Sequence, residues 1–200
     1  MKAVRKEKAA RKPRADSVRN RERLLKAAAR VLGAGGPEAS LEAVARRAGV
    51  GIGTLYRHFP TRDALFEAVY RHEVEELAAL AESLAKEVPP VDALRRWIRA
   101  IVQLVATKKG MLAALALVAD GRSDLWAYSS QRLSGAVGTI LARAAAAGQV
   151  RRDVRPEDLL HALIGLCYAY DRPDWQETVL RLADVFVDGL LVKGQATQGA

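Results

Sequence analysis

The sequence predicts an all-α protein with an N-terminal three-helix unit and a larger C-terminal helical domain. Three observations predict it. Ala, Leu, Arg and Glu dominate the 200 residues, and all are good helix formers. No run alternates apolar and polar residues long enough to suggest a sheet. The segment SLEAVARRAGVGIGTLYRHFPTRD, from Ser40 to Asp63, reads as two short helices joined by a tight glycine turn, then a second turn and the start of another helix.

The elements follow in order. Residues 1–16 form a polar, basic, Pro-containing arm that can bury little and is expected to be flexible. Its Arg5, Lys6, Lys8, Arg11, Lys12 and Arg14 suit either a DNA-contacting tail or a solubilising leader. A helix-turn-helix domain is expected over residues 17–62. Its first helix runs from about Ser17 to Leu32 with Leu24, Leu25, Ala28, Val31 and Leu32 inward, until Gly33, Gly35, Gly36 and Pro37 stop it. Ser40 is a plausible N-cap for the second helix, whose Leu41, Val44, Ala45 and Ala48 fall at helical spacing. Gly49 can end that helix in the left-handed conformation without a Cβ penalty. Val50, Ile52, Leu55 and Phe59 are expected to give the third helix, about Ile52 to Phe59, its apolar side.

Residues 63–193 form the second domain. Pro60 breaks the chain, Thr61 can cap a long fourth helix, and Pro89-Pro90 ends it. Helices are then expected over Asp92 to Thr107 and, between Gly110 and Gly121, over Met111 to Ala119. Another covers Leu125 to Ala147 and ends at Gly148. The helix from Pro156 to Tyr170 starts with a tolerated Pro, then Glu157 and Asp158 in a favourable first turn. Pro173, Asp174 and Glu177 repeat the device for a last helix to about Val192, and residues 194–200 form a flexible tail.

Charge separates the two parts. Residues 1–62 hold 16 Lys and Arg against 5 Asp and Glu, a net of +11. Residues 63–200 hold 16 against 18, a net of −2. A basic segment of this kind is drawn to a phosphate backbone by counterion release, and a helix-turn-helix puts its second helix into the major groove. A general Arg bias would have enriched the whole chain. Cys167 is the single cysteine, so no internal disulfide can form, which fits a reducing cytoplasm. The basic N-terminus lacks the apolar stretch of a signal peptide, and no stretch reaches the roughly 20 apolar residues that span a bilayer.

Catalysis is not expected. His161 and Cys167 lie six apart on one helix, so they point about 240° apart. His72 and Glu76 form an i, i+4 pair better suited to a surface contact than to a metal. No zinc spacing or Gly-rich phosphate loop is present, and no cofactor or metal is expected. Two rivals to a regulator are a DNA-compacting protein and a ligand-binding module with a vestigial DNA domain. The near-neutral helical half argues against the first and the intact basic segment against the second.

Ser40 to Val69, SLEAVARRAGVGIGTLYRHFPTRDALFEAV, resembles the TetR family of bacterial transcriptional regulators. The residues that carry the resemblance are Ser40, Ala48-Gly49-Val50, Gly53-Thr54-Leu55-Tyr56, Phe59, Arg62-Asp63 and Leu65. Arg62-Asp63 departs from the family's common Lys-Glu pair but keeps both signs. With the first helix, the resemblance covers about Arg19 to Tyr70. It implies a homodimer built through the last two helices and a ligand cavity among the middle helices. It also implies that Tyr56 and Thr54 contact DNA phosphates and that His58 lies close to the DNA backbone.

The DNA-binding candidates are therefore Ser40, Gly51, Ile52, Gly53, Thr54, Tyr56, Arg57, His58 and Arg62. Ser40 would cap the second helix and could also donate to a phosphate. Gly51 and Gly53 allow close backbone approach. Ile52 is either a thymine-methyl contact or core. Tyr56 is either a phosphate donor or a ring packed between helices. Arg57 is a candidate for guanine or for a phosphate, and Arg62 would pair with a phosphate. Arg46 and Arg47 are either solvated or on DNA. Trp97, Ile101, Met111, Leu115, Trp126, Tyr128 and Tyr168 are candidates for a pocket that takes a small hydrophobic effector, or are ordinary core. Leu159, Leu163, Ile164, Leu166, Cys167, Tyr170, Val179, Leu182, Phe186 and Leu190 look too apolar for exposed terminal helices and are the dimer-interface candidates. The expected protein is a cytoplasmic, bacterial, ligand-released homodimeric repressor on a palindromic operator, associated with the nucleoid when bound to DNA. Its fourth helix is the expected lever between the domains.

Overall fold

The structure, a computed structural model, describes residues 11–35, 39–114, 123–170 and 172–192. Eight α-helices cover them: α1 (Arg11–Gly33), α2 (Leu41–Ala48), α3 (Ile52–His58), α4 (Arg62–Glu87), α5 (Pro90–Ala114), α6 (Ser123–Ala146), α7 (Pro156–Ala169) and α8 (Trp175–Leu190). Among the described residues, β-type pairing is confined to one antiparallel bridge between Val150 and Leu191. There Arg151 N–H donates to the Leu190 carbonyl at 2.9 Å, and Val192 N–H to that of Gln149 at 3.0 Å. Among the described residues, no helix is long and apolar enough to cross a membrane.

Packing divides the chain into two compact units. One comprises the described residues up to His72 with 107–114, and the other comprises 73–106 with the described residues from 123 onwards. The first unit takes in the start of α4 and the end of α5 together with α1–α3. In it α2 packs on both α1 and α3. Leu24, Leu25, Ala28 and Leu32 of α1 are buried with Leu41, Val44, Ala45 and Ala48 of α2, Leu55 of α3, and Leu65, Phe66 and Val69 of α4.

Three sequence expectations need correction. Helix α1 begins at Arg11 rather than near Ser17, so residues 11–16 of the expected arm are helical. Arg, Lys and Ala favour helix there, Pro13 stands in the first turn where its missing N–H costs nothing, and Asp16 pairs with Arg19 one turn on. Arg5, Lys6 and Lys8 lie outside the described residues, as do Gly36, Pro37, the 115–119 part of the expected short helix, and the tail 194–200.

The second correction concerns Gly110, expected as a helix boundary. It lies inside α5, which runs unbroken to Ala114. A Cβ at Gly110 would fall 2.1 Å from the Gly33 carbonyl oxygen, so the glycine serves close approach of two backbones and not termination. Third, α8 begins at Trp175, leaving Pro173 and Asp174 just outside it. By contrast, Gly148 ends α6 as expected. Its φ is 68°, and the Gln149 amide donates back to the Ala144 carbonyl at 2.9 Å.

In the second unit α6 packs on α7 and α7 on α8. Arg95 of α5 fastens α8 by donating to Asp184 Oδ1 at 2.7 Å and to Asp188.

Candidate nucleic-acid interface

The α2–α3 turn is fixed by local chemistry at each joint. Ser40 is extended (φ −125°), and its Oγ accepts from the Ala43 amide at 3.1 Å, so it caps α2 as expected. Gly49 takes the left-handed conformation, φ 67° and ψ 36°. Its amide donates to Arg46 at 3.1 Å and the Val50 amide to Ala45 at 3.0 Å, which closes the last turn of α2. The Gly51 carbonyl then accepts from Thr54 at 2.9 Å and starts α3. Thr61 caps α4 in its turn, its Oγ1 accepting from the Ala64 amide at 3.0 Å.

Leu55 and Phe59 hold α3 to the core, being 0% and 2% exposed. The opposite face is open. Gly51, Ile52, Gly53, Tyr56 and Arg57 are exposed, while Thr54 and His58 are half-buried. Ile52 is 38% and Tyr56 46% exposed, so neither is core. That corrects the placement of Ile52 on the apolar side: it is four residues before Tyr56, and the two share the outward stripe. Arg57 Nη2 donates to Thr54 Oγ1 at 2.8 Å, which orders its guanidinium along the helix. Arg46 and Arg47 at the end of α2 and Arg62 at the start of α4 are exposed. Among the described residues none of these three is in an ion pair. The open face of α3 therefore joins small residues and Ile52 to the donors of Tyr56 and Arg57, over the buried Leu55 and Phe59.

The pocket candidates divide by burial. Trp97, Ile101 and Met111 are no more than 1% exposed. Trp97 is also pinned by donating Nε1–H to the Leu77 carbonyl at 3.1 Å. Met111 belongs to the first unit, not to the one holding Trp97 and Ile101. These three are buried in the core. Leu115 lies outside the described residues. Trp126 and Tyr168 are 42% and 46% exposed, and the Trp126 ring lies near-parallel to His161 at 6.5 Å. Tyr128 donates its hydroxyl to Glu75 of α4, which also takes a two-point contact from Arg132 at 3.1 and 2.9 Å. Those hydrogen bonds, Arg132 first and then Tyr128, hold the Glu75 carboxyl below its ordinary pKa.

The interface candidates also need correction. Leu159, Leu163, Cys167, Val179 and Leu190 are buried inside the protomer and so are core. Ile164, Leu166 and Tyr170 are half-buried, while Leu182 and Phe186 are exposed. Val185, outside the sequence candidates, is 69% exposed. Leu182, Val185, Phe186 and Gly189 recur at i, i+3, i+4 and i+7, which makes one outward stripe along α8. On α7 the outward positions are Ala162, Gly165, Leu166 and Ala169 at the same spacing.

Comparison with known proteins agrees with this architecture. Residues 24–69 match the family described as bacterial regulatory proteins, tetR family. Residues 89–192 match the family described as transcriptional regulator SbtR-like, C-terminal domain. A solved transcriptional regulator from Streptomyces coelicolor is 42% identical, over 87% of this chain and 99% of that one, with a TM-score of 0.76. One from Mycobacterium vanbaalenii is 34% identical over 90% and 99%, with a TM-score of 0.69. The repressor of the Stenotrophomonas maltophilia multidrug efflux pump SmeDEF, at 20% identity over 90% and 94% and a TM-score of 0.58, shares the fold.

Proposed function

The chain belongs to the TetR family of bacterial transcriptional regulators, and we propose that it is a ligand-released homodimeric repressor that binds a palindromic operator. The observation that carries the DNA-binding half is the outward stripe of α3. Ile52, Gly53, Tyr56 and Arg57 stand on the buried Leu55 and Phe59 within the basic part of the chain. Gly51 and Gly53 let the backbone come close to a groove, and Ile52 offers an apolar contact to a thymine methyl. Arg57 reads a base edge, while Tyr56, Thr54, His58, Ser40 and Arg62 contact the DNA backbone and fix register. The test is affinity for a selected operator duplex. Arg57→Ala should cost about 1–3 kcal/mol and relax preference at one base pair in each half-site. Tyr56→Phe should weaken all duplexes by about 1 kcal/mol without changing their ranking. Unchanged affinity in both variants would remove α3 as the reading head.

The dimer reading rests on the apolar stripe of α8 beside the small-residue face of α7. A second copy would bury both, and two-fold symmetry would match a palindromic site. The effector reading rests on the second unit. Its apolar interior repacks around a small hydrophobic molecule, and the Glu75–Tyr128–Arg132 contacts tie α4 to α6. An effector that favours a different placement of α4 would draw the population off DNA in proportion to its differential affinity.

A further inference from the structure

We propose that Arg21 and Arg23 of α1 are phosphate-contacting residues that set the register of α3 on DNA; the proposal rests on the DNA-binding reading above. The two side chains go to opposite ends of α3. Arg23 Nη2 lies 2.5 Å from the point where a Cβ on Gly49 would stand, so its guanidinium fills the space beside the α2–α3 turn. The Arg21 guanidinium carbon lies 5.4 Å from the centroid of the Phe59 ring, within cation–π range, and Phe59 closes the C-terminus of α3. Residues two apart on a helix point about 200° apart, which is how one helix serves both ends.

Both arginines are exposed, and among the described residues neither is in an ion pair. Arg19, by contrast, is tied to Asp16. Their backbone is held firm because Leu24 and Leu25, which follow directly, are 0% and 2% exposed. A guanidinium lying over a ring keeps its N–H edge free to donate in the plane, where a phosphate oxygen accepts. The Arg21 side chain, resting on the ring, loses less freedom when a phosphate arrives. Two positive forks at the two ends of α3 then define where α3 sits along the duplex, without reading sequence.

The test is the salt dependence of binding to a selected duplex, for the parent, Arg21→Gln, Arg23→Gln, and the two Lys variants. Each Gln variant should flatten the plot of log affinity against log salt by about 0.9 per protomer, and leave the ranking of operator sequences unchanged. Each Lys variant should keep the parental slope, because it keeps the charge. A role confined to holding the turn and the ring would lower affinity or thermal stability but leave the slope as it was. Gln variants with the parental slope would overturn the proposal while the DNA-binding reading stands. A parent that binds duplexes without preference and without salt dependence would overturn both.

Discussion

The carbonyl oxygen of Gly33 occupies the space that a side chain on Gly110 would need: a Cβ there would lie 2.1 Å away. The end of α1 and the end of α5 thereby meet backbone to backbone inside the first unit, with Thr107 one turn before Gly110 against Gly33. Intrinsic propensity alone favours Ala over Gly in a helix interior by about 1 kcal/mol. The contact reverses the sign. Gly110→Ala should lower the urea-unfolding free energy by about 1–3 kcal/mol, as overpacking does. A stabilised variant would show that the two helices are not in contact.

Helix α2 should be sensitive at both of its caps. Ser40→Ala leaves the Ala43 amide without its acceptor and should cost about 1 kcal/mol. Gly49→Ala forces a Cβ into a left-handed residue, which costs about 1–2 kcal/mol, and it also displaces the Arg23 guanidinium. Chemical denaturation of each variant measures both.

Val185→Asp tests the proposed dimer apart from the fold. It puts a charge on the most exposed apolar position of α8 and should yield a monomer by light scattering, with parental helix content by circular dichroism. Leu163→Ala acts on the protomer core instead and should cost about 2–5 kcal/mol of stability.

These contrasts show what was legible in the sequence. Ser40, Gly49 and Thr61 could be read because caps and left-handed turns depend on chemistry within three or four residues. Gly110 could not, because its role is set by Gly33, far away in the chain. Leu182 and Phe186 could be identified as apolar but not separated from Leu163 or Val179, since which face looks inward depends on the packing of α6 on α7 and of α7 on α8. Trp97 and Tyr128 fall under the same limit. One is sealed core and the other a surface donor to Glu75, a distinction that needs the third dimension.

The Glu75 contacts predict an acid-sensitive link between α4 and α6. Hydrogen bonds from Arg132 and Tyr128 lower the Glu75 pKa in the folded state. Their contribution is therefore present above the unfolded value and lost as pH falls through the lower folded value. Glu75→Gln should destabilise the protein at neutral pH and progressively less as the carboxylate range is entered. Unfolding midpoints across pH for parent and variant measure the convergence; parallel curves would mean that Glu75 contributes no such link.

Sequence-specific recognition by the α3 stripe is the property most directly open to measurement. The measurement is selection from a random duplex pool with the purified protein near physiological salt, followed by sequencing of the bound fraction. An enriched inverted repeat is expected, with half-sites spaced by the helical period of DNA. Binding with no enriched sequence, governed by salt alone, would contradict it.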